Sequence, residues 1–158
     1  MSRHPMTIAG AERLRAELQQ LKTVERRAIS RALADARGHG DIAENADYDA
    51  AKERQGLIEA RIRDIEAKLA HAHIVDPKSL DAGGRVVFGA TVDLEDQDSG
   101  VRVCYQIVGD DEADARAGKI SVNSPIARAL IGKQAGETAE FEAPSGQREY
   151  EILAVRYV

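Results

Sequence analysis

Tryptophan is absent from this chain of 158 residues, and four tyrosines and two phenylalanines are its only aromatic residues. Any core must therefore be aliphatic. A single cysteine, Cys104, leaves no partner for an intrachain disulfide. Long uncharged runs are also missing. The longest, ISVNSPIA, is short and holds polar residues and a proline, which excludes a membrane-spanning helix. The first residues, MSRHPMTIAG, lack the apolar stretch of a signal peptide. Together these absences indicate a cytoplasmic protein. Four histidines, His4, His39, His71 and His73, are scattered, and the last two do not stand at helical ligand spacing. No Ser-His-Asp constellation can be inferred, and the glycines form no phosphate-loop pattern. Cys104, in a strand-like stretch, reads as a core residue rather than a nucleophile. These gaps argue against an enzyme with a complete site of its own.

Hydrophobic residues make up 43% and charged ones 31%, a globular rather than a disordered composition. The net charge of -5 is unevenly spread. Residues 1–75 carry 13 Lys and Arg against 12 Asp and Glu, whereas residues 76–158 carry 9 against 15. Lys22, Arg26, Arg27, Arg31 and Arg37 face only Glu25 and Asp35 in the same stretch. Such a run on a helix reads as a solvated face ahead of a phosphate-facing one.

The pattern divides the chain in two. Over residues 8–37, Leu14, Leu18, Leu21, Ile29, Ala32 and Ala36 recur at steps near 3.6, with Glu25 weakening the stripe and Thr7 as N-cap. Residues 44–75 read the same way: Leu57 or Ile58, then Ile62, Ile65 and Leu69, follow a coiled-coil seam. The short connection between them forces antiparallel neighbours. The first domain, residues 1–76, is therefore expected to be a long antiparallel coiled-coil hairpin, each helix about 42–45 Å long. Pro77 and the glycines of DPKSLDAGG mark a linker over 77–84. Beyond it the period is two. RVVFGATVDL and VRVCYQIVG read as strands, the second with Val101, Val103, Tyr105 and Ile107 on one face. NSPIARALIG carries a helix signature, with Ser124 as N-cap, Pro125 at the first position and Gly132 past the end. ETAEFEA and REYEILAVRYV add two strands joined at PSG. Residues 85–158 are expected to form a small α+β domain with a mostly antiparallel sheet.

At the bend, in ARGHGDIAENADYDAAKE, stand Asp41 and Glu44. Asp41 fits a helix N-cap with Glu44 three residues on, a capping-box pattern with Asp in place of Ser or Thr. Spacing alone favours this reading over metal binding, and the two are not exclusive. Two acids are too few for a closed cage, and Mg²⁺ normally keeps several waters and is shared with substrate phosphates. The pair would be half a site that something else completes. Asp47 and Asp49 add acidity and suit a helix N-terminus.

Four blocks carry a resemblance: ARGHGDIAENADYDAAKE, RIRDIEAKLAHAHIVD, GRVVFGATV and YQIVGDDEADARAGKISVNSPIARALIGK. Over nearly its whole length the chain resembles the bacterial Gre family of transcript-cleavage factors, and YDAAKERQG makes the bend similar to the GreA branch rather than the GreB branch. The resemblance implies a factor that binds RNA polymerase and is itself no enzyme. Its C-terminal domain, similar to the FKBP fold, would dock outside the secondary channel, and its coiled coil would enter that channel. The acidic tip would then help hold the second Mg²⁺ of the polymerase site and stimulate hydrolysis of backtracked RNA. By position, Asp41 and Glu44 match the metal-binding tip acids. Arg37 and Lys52 match a basic patch toward the nascent RNA, and Asn123, Ser124 and Pro125 match the polymerase-docking segment. Tyr48 matches a tip aromatic, and it reads as packing against the first helix ahead of stacking on a base. Ile42, Ala43 and Asp49 depart mildly from the family pattern. A monomer with no membrane partner is expected, and two acids on a bend are expected to bind no metal tightly when alone. Three other readings remain: a channel-binding inhibitor of polymerase, an FKBP-like peptidyl-prolyl isomerase, against which the scarcity of aromatics argues, and a plain coiled-coil scaffold.

Overall fold

Runs of Ala, Leu, Arg and Glu build three helices: α1 (Ile8–Gln20), α2 (Arg26–Arg37) and α3 (Ala46–Ala70). The structure is a computed structural model and describes residues 4–38 and 45–158. Between α1 and α2 the chain stays helical but passes through a π-helical turn, Leu21–Glu25, where the Arg26 N–H donates to the Leu21 carbonyl five residues back. Thr23 favours the break: its hydroxyl donates to the Gln19 carbonyl at 2.7 Å, competing with the backbone ladder. A π turn inserts about one residue into the helical repeat. The buried stripe slips accordingly. Leu33 is buried and Ala32 exposed, the reverse of what an uninterrupted period of 3.6 predicts. On α3, Ile58 is buried and Leu57 exposed, which settles the alternative the sequence left open.

Ile29 and Leu33 pack with Ala51, Ile58 and Ile62, and Leu18, Leu21 and Tyr48 lean on the same cluster. Ion pairs flank this seam. On one edge Glu17 accepts from Arg61 at 2.7 and 2.9 Å, and Glu25 from Arg54 at 3.0 Å. On the other Lys22 meets Glu66 at 2.9 Å, and Arg26 meets Glu59 at 2.8 and 2.7 Å. Along each edge the partner number falls as the first rises, so α3 runs antiparallel to α1 and α2. The Arg26 guanidinium holds the Glu59 carboxyl below its ordinary range.

The described chain forms two units, residues 4–10 with His73–Val158, and Ala11–Ala72. The expected helical domain over 1–76 is thus too wide. β1 (His4–Thr7) pairs with β2 (Ala72–Val75), so α3 ends at Ala70, short of the expected 75. A buried carboxylate ties the first residues to the sheet unit. Glu112 accepts from the Thr7 N–H at 2.9 Å, the Gly109 N–H at 3.1 Å and the Thr7 hydroxyl. Only glycine fits beside it at position 10, where a Cβ would stand 2.2 Å from the Glu112 Cδ.

The main sheet has the order β5-β4-β3-β7-β6, from β3 (Thr91–Asp96), β4 (Arg102–Val108), β5 (Lys119–Ser121), β6 (Thr138–Ala143) and β7 (Gly146–Arg156). All its pairings are antiparallel except β4 with β5. Of the expected RVVFGATVDL strand only the part from Thr91 onward joins the ladder, with Arg85 bridging Gln134. Alternation assigns the faces. Val92, Leu94, Ile107, Ala139 and Ile152 form one core with Ala127 and Leu130 of α4 (Pro125–Leu130). The opposite face carries Asp93, Arg102, Cys104, Glu149 and Glu151.

Candidate functional site

Asp41 and Glu44, the expected tip acids, lie outside the described residues. The helix ends on either side of them are described. α3 does not take its cap from Asp41: Asn45 holds that place, its Oδ1 accepting from the Tyr48 N–H at 3.1 Å. The expected capping box on this helix is therefore corrected. Asn is a favoured N-cap, and Asp47 and Asp49 then fall in the first turn, where acids suit the helix dipole. That pattern in ENADYD was the available signal, and the Asp-x-x-Glu spacing masked it. The other arm of Asn45, Nδ2, donates to the Ala36 carbonyl in the last turn of α2. One buried amide thus bonds to both helices.

Arg37 and Lys52 come onto one side of this end. The Arg37 guanidinium lies 5.9 Å from the centre of the Tyr48 ring, a cation–π distance. Lys52 stands one turn beyond Tyr48 on α3, exposed, with a long 3.4 Å contact to Gln55. Tyr48 packs against the seam, as the sequence anticipates. Among the described residues no group of three or more His, Cys, Asp or Glu could hold a metal ion.

In the sheet unit, Ser124 caps α4 by accepting from the Ala127 N–H at 3.3 Å, and Pro125 opens the helix. Asn123 is exposed yet held: its Nδ2 donates to both oxygens of Asp110 at 3.1 and 3.0 Å. The Ser121 hydroxyl donates to the same carboxylate. These residues stand beside an apolar groove of about 480 Å³ lined by Val103, Tyr105, Ile126, Phe141 and Tyr150, among others. The groove exists because α4 has six residues and covers only part of the core face. β7, with eleven, runs on beyond it. Phe141 and Tyr150 stack at 5.7 Å, and burial pushes the Tyr150 phenol up. Asp96 rims the groove. The Asp98 N–H at 2.8 Å, the Ser99 N–H and Arg148 hold its carboxyl below its ordinary range. Sequence reasoning missed this groove. The aromatics are few, and their gathering at alternate strand positions was the only sign.

Cys104 is exposed on the opposite face, not in the core as expected. Desolvation and the Asp93 carboxylate hold its thiol above the ordinary range, so it stays protonated and is a poor nucleophile.

A helical N-terminal region followed by a sheet domain defines the class to which the sequence comparisons lead. Residues 4–74 match the family described as "Transcription elongation factor, N-terminal", and residues 81–157 match "Transcription elongation factor, GreA/GreB, C-term". The chain belongs to the GreA/GreB family of transcription elongation factors. It is 65% identical to transcription elongation factor GreA of Ralstonia nicotianae over the full length of both chains. It is 60% identical to that of Thioalkalivibrio sulfidiphilus, again over the full length of both. Among solved structures, GreA factor homolog 1 of Thermus thermophilus is 32% identical over 98% of this chain and 99% of that one, with a TM-score of 0.42.

Proposed function

We propose that this elongation factor is an accessory of RNA polymerase that stimulates the polymerase's own cleavage of backtracked RNA. On this reading the helical unit is a coiled-coil hairpin that enters the secondary channel, and the sheet unit is an FKBP-like docking domain. The segment Asn123–Pro125 and the adjoining groove meet the polymerase rim, and Arg37 and Lys52 lie toward the extruded RNA. The factor acts as a monomer.

The observation that carries the reading is the cap on α3. Because Asn45 serves that helix, the acids of the bend are not needed to cap it, and a chemical role becomes the stronger account of Asp41 and Glu44. Two carboxylates suit one part of an Mg²⁺ shell whose other ligands come from elsewhere. Asp41 and Glu44 would hold such an ion together with ligands of the polymerase, and the chemistry it would supply there is polarisation of a water. The contribution of this chain is to deliver the two carboxylates and to hold them in place. The seam and its edge ion pairs hold α2 and α3 together on either side of the segment that carries them.

The test is an RNA-cleavage assay on stalled, backtracked elongation complexes with the parent, Asp41→Asn and Glu44→Gln. The parent should shorten the transcript, and each variant should lose most of that effect while binding polymerase as before. Cleavage by the variants at the parent's rate would remove the metal role. A channel-binding inhibitor would instead slow elongation without shortening the transcript. One observation favours a second reading, prolyl isomerisation: Tyr105, Phe141 and Tyr150 gather in a single groove. Isomerisation of an Xaa-Pro peptide, abolished by Tyr150→Ala, would establish it.

A further inference from the structure

Asp110 gathers the segment that leads from β5 into α4. Its carboxylate accepts from the Ser121 hydroxyl and, with both oxygens, from Asn123 Nδ2 at 3.1 and 3.0 Å. The Ser121 hydroxyl accepts in turn from the Asn123 N–H at 3.1 Å, which closes a ring of hydrogen bonds. We infer that Asp110 is a positioning residue for the segment Asn123–Pro125, fixing the arrangement that this segment presents to its partner. The inference rests on the proposed docking of that segment on RNA polymerase.

Neither the turn nor the helix depends on this ring. The Val122 N–H donates to the Val108 carbonyl at 2.8 Å and the Ser124 N–H to the Ser121 carbonyl at 3.0 Å, while Ser124 caps α4. What Asp110 adds is confined to Asn123 and Ser121. Asn123 is exposed. An exposed hydrogen bond adds little net stability, because water competes for the same groups, and holding the side chain costs rotamer entropy. Fixing that side chain in advance removes the same cost from binding, which gives the ring its purpose. The acceptor suits the task, since an ionised carboxylate makes stronger hydrogen bonds than a neutral oxygen. Asp110 is itself held from behind. It lies between Gly109 and Glu112, and the buried Glu112 carboxylate accepts from the Gly109 N–H at 3.1 Å. A Cβ at position 109 would stand 2.4 Å from the Pro5 carbonyl oxygen, so only glycine fits there.

The test uses the full-length protein. Asp110→Asn keeps one acceptor oxygen but sets an amide N–H against the donors of Asn123 and Ser121. Asp111→Asn removes the same charge from the same turn, where Asp111 pairs with His4. Polymerase affinity is measured by competition, and cleavage of backtracked RNA is followed against factor concentration. Hydrogen exchange of the Asn123 N–H is read in the free protein. Asp110→Asn should bind about tenfold more weakly and need about tenfold more factor for half-maximal cleavage. It should reach the parent's maximal rate, and its Asn123 N–H should exchange faster. Asp111→Asn should bind as the parent does. Weaker binding with parental exchange would mean that Asp110 touches the polymerase itself, and would overturn the inference. Parental affinity in Asp110→Asn would overturn it, as would an equal loss in Asp111→Asn, which would assign the effect to net charge. A large fall in the unfolding midpoint of Asp110→Asn would make Asp110 a structural residue and overturn it likewise. Asn123→Ala and Pro125→Ala test the underlying reading. Parental binding by both refutes the docking assignment and this inference with it, whereas weaker binding by both beside parental binding by Asp110→Asn refutes the inference alone.

Discussion

In the sheet unit, Val86, Leu94, Ile107, Leu130 and Ile152 are wholly shut off from solvent, enclosed between a strand layer and α4. In the helical unit the seam is thinner. Ile29, Leu33, Ala51 and Ile58 each keep 4–8% exposure, and charged pairs line both edges. Two helices alone have one contact face each, so full enclosure is confined to the middle of that face, as at Ile62 and Ile65, which are 1% and 0% exposed. The sheet unit concentrates its stability in a few large aliphatic side chains, and the helical unit spreads it along its length.

The largest effect should come from breaking the enclosed core. Leu94→Ala should cost about 3–5 kcal/mol, the upper range for a fully buried leucine. Urea unfolding followed by the near-UV signal of Tyr105 and Tyr150 measures it. The seam should respond less: Leu33→Ala should cost about 2 kcal/mol. The neighbouring Ala32→Gln should stay within about 0.5 kcal/mol, as for an exposed position. A larger cost at 32 than at 33 would contradict the register set by the π turn.

Asp96 sharpens the comparison through pH. Its carboxyl sits below the ordinary range because the backbone N–H of Asp98 and then that of Ser99, with Arg148, favour the charged form. A depressed folded pKa contributes stability above the unfolded-state value of about 4, and this is lost as pH falls through the folded value. Asp96→Asn should therefore be less stable than the parent at neutral pH, and the gap should close in acid. Urea melts at the two pH values decide it, and a gap that persists in acid would point to packing rather than charge.

Much of the fold could be read from the sequence, and the failures have physical causes. Ser124–Pro125 announced α4, and the alternation Val101, Val103, Tyr105, Ile107 placed one face of β4, because caps and strand periodicity are local signals. β1 and β2 escaped notice because four residues give only two alternations. The run EAKLAHAHIV also continues a helical pattern past Ala70. The slip at Leu33 was hidden because a π turn depends on competition for the Gln19 carbonyl, which propensity does not encode. The role expected of Asp41 and Glu44 came from resemblance, and the bridge at Asn45 came only from the structure, since its second bond joins helices whose packing had to be known first.

The smallest effects concern the basic run, which the structure divides. Lys22 and Arg26 are occupied by Glu66 and Glu59 across the seam. Arg27 and Arg31 are exposed one turn apart, and neither has an ion-pair partner among the described residues. The first pair belongs to the rod. The second is available to a polyanion. Arg26→Gln should lower the unfolding midpoint slightly, and added salt should erase the difference, because exposed pairs are weak and screened. The double variant Arg27→Gln, Arg31→Gln should leave the midpoint unchanged. It should flatten the salt dependence of cleavage on complexes with long extruded RNA, since each lost phosphate contact removes a released counterion. The same assay with Arg26→Gln should keep the parent's salt slope. An unchanged slope in the double variant would leave Arg27 and Arg31 as a solvated face, with Arg37 and Lys52 then carrying any contact to RNA alone.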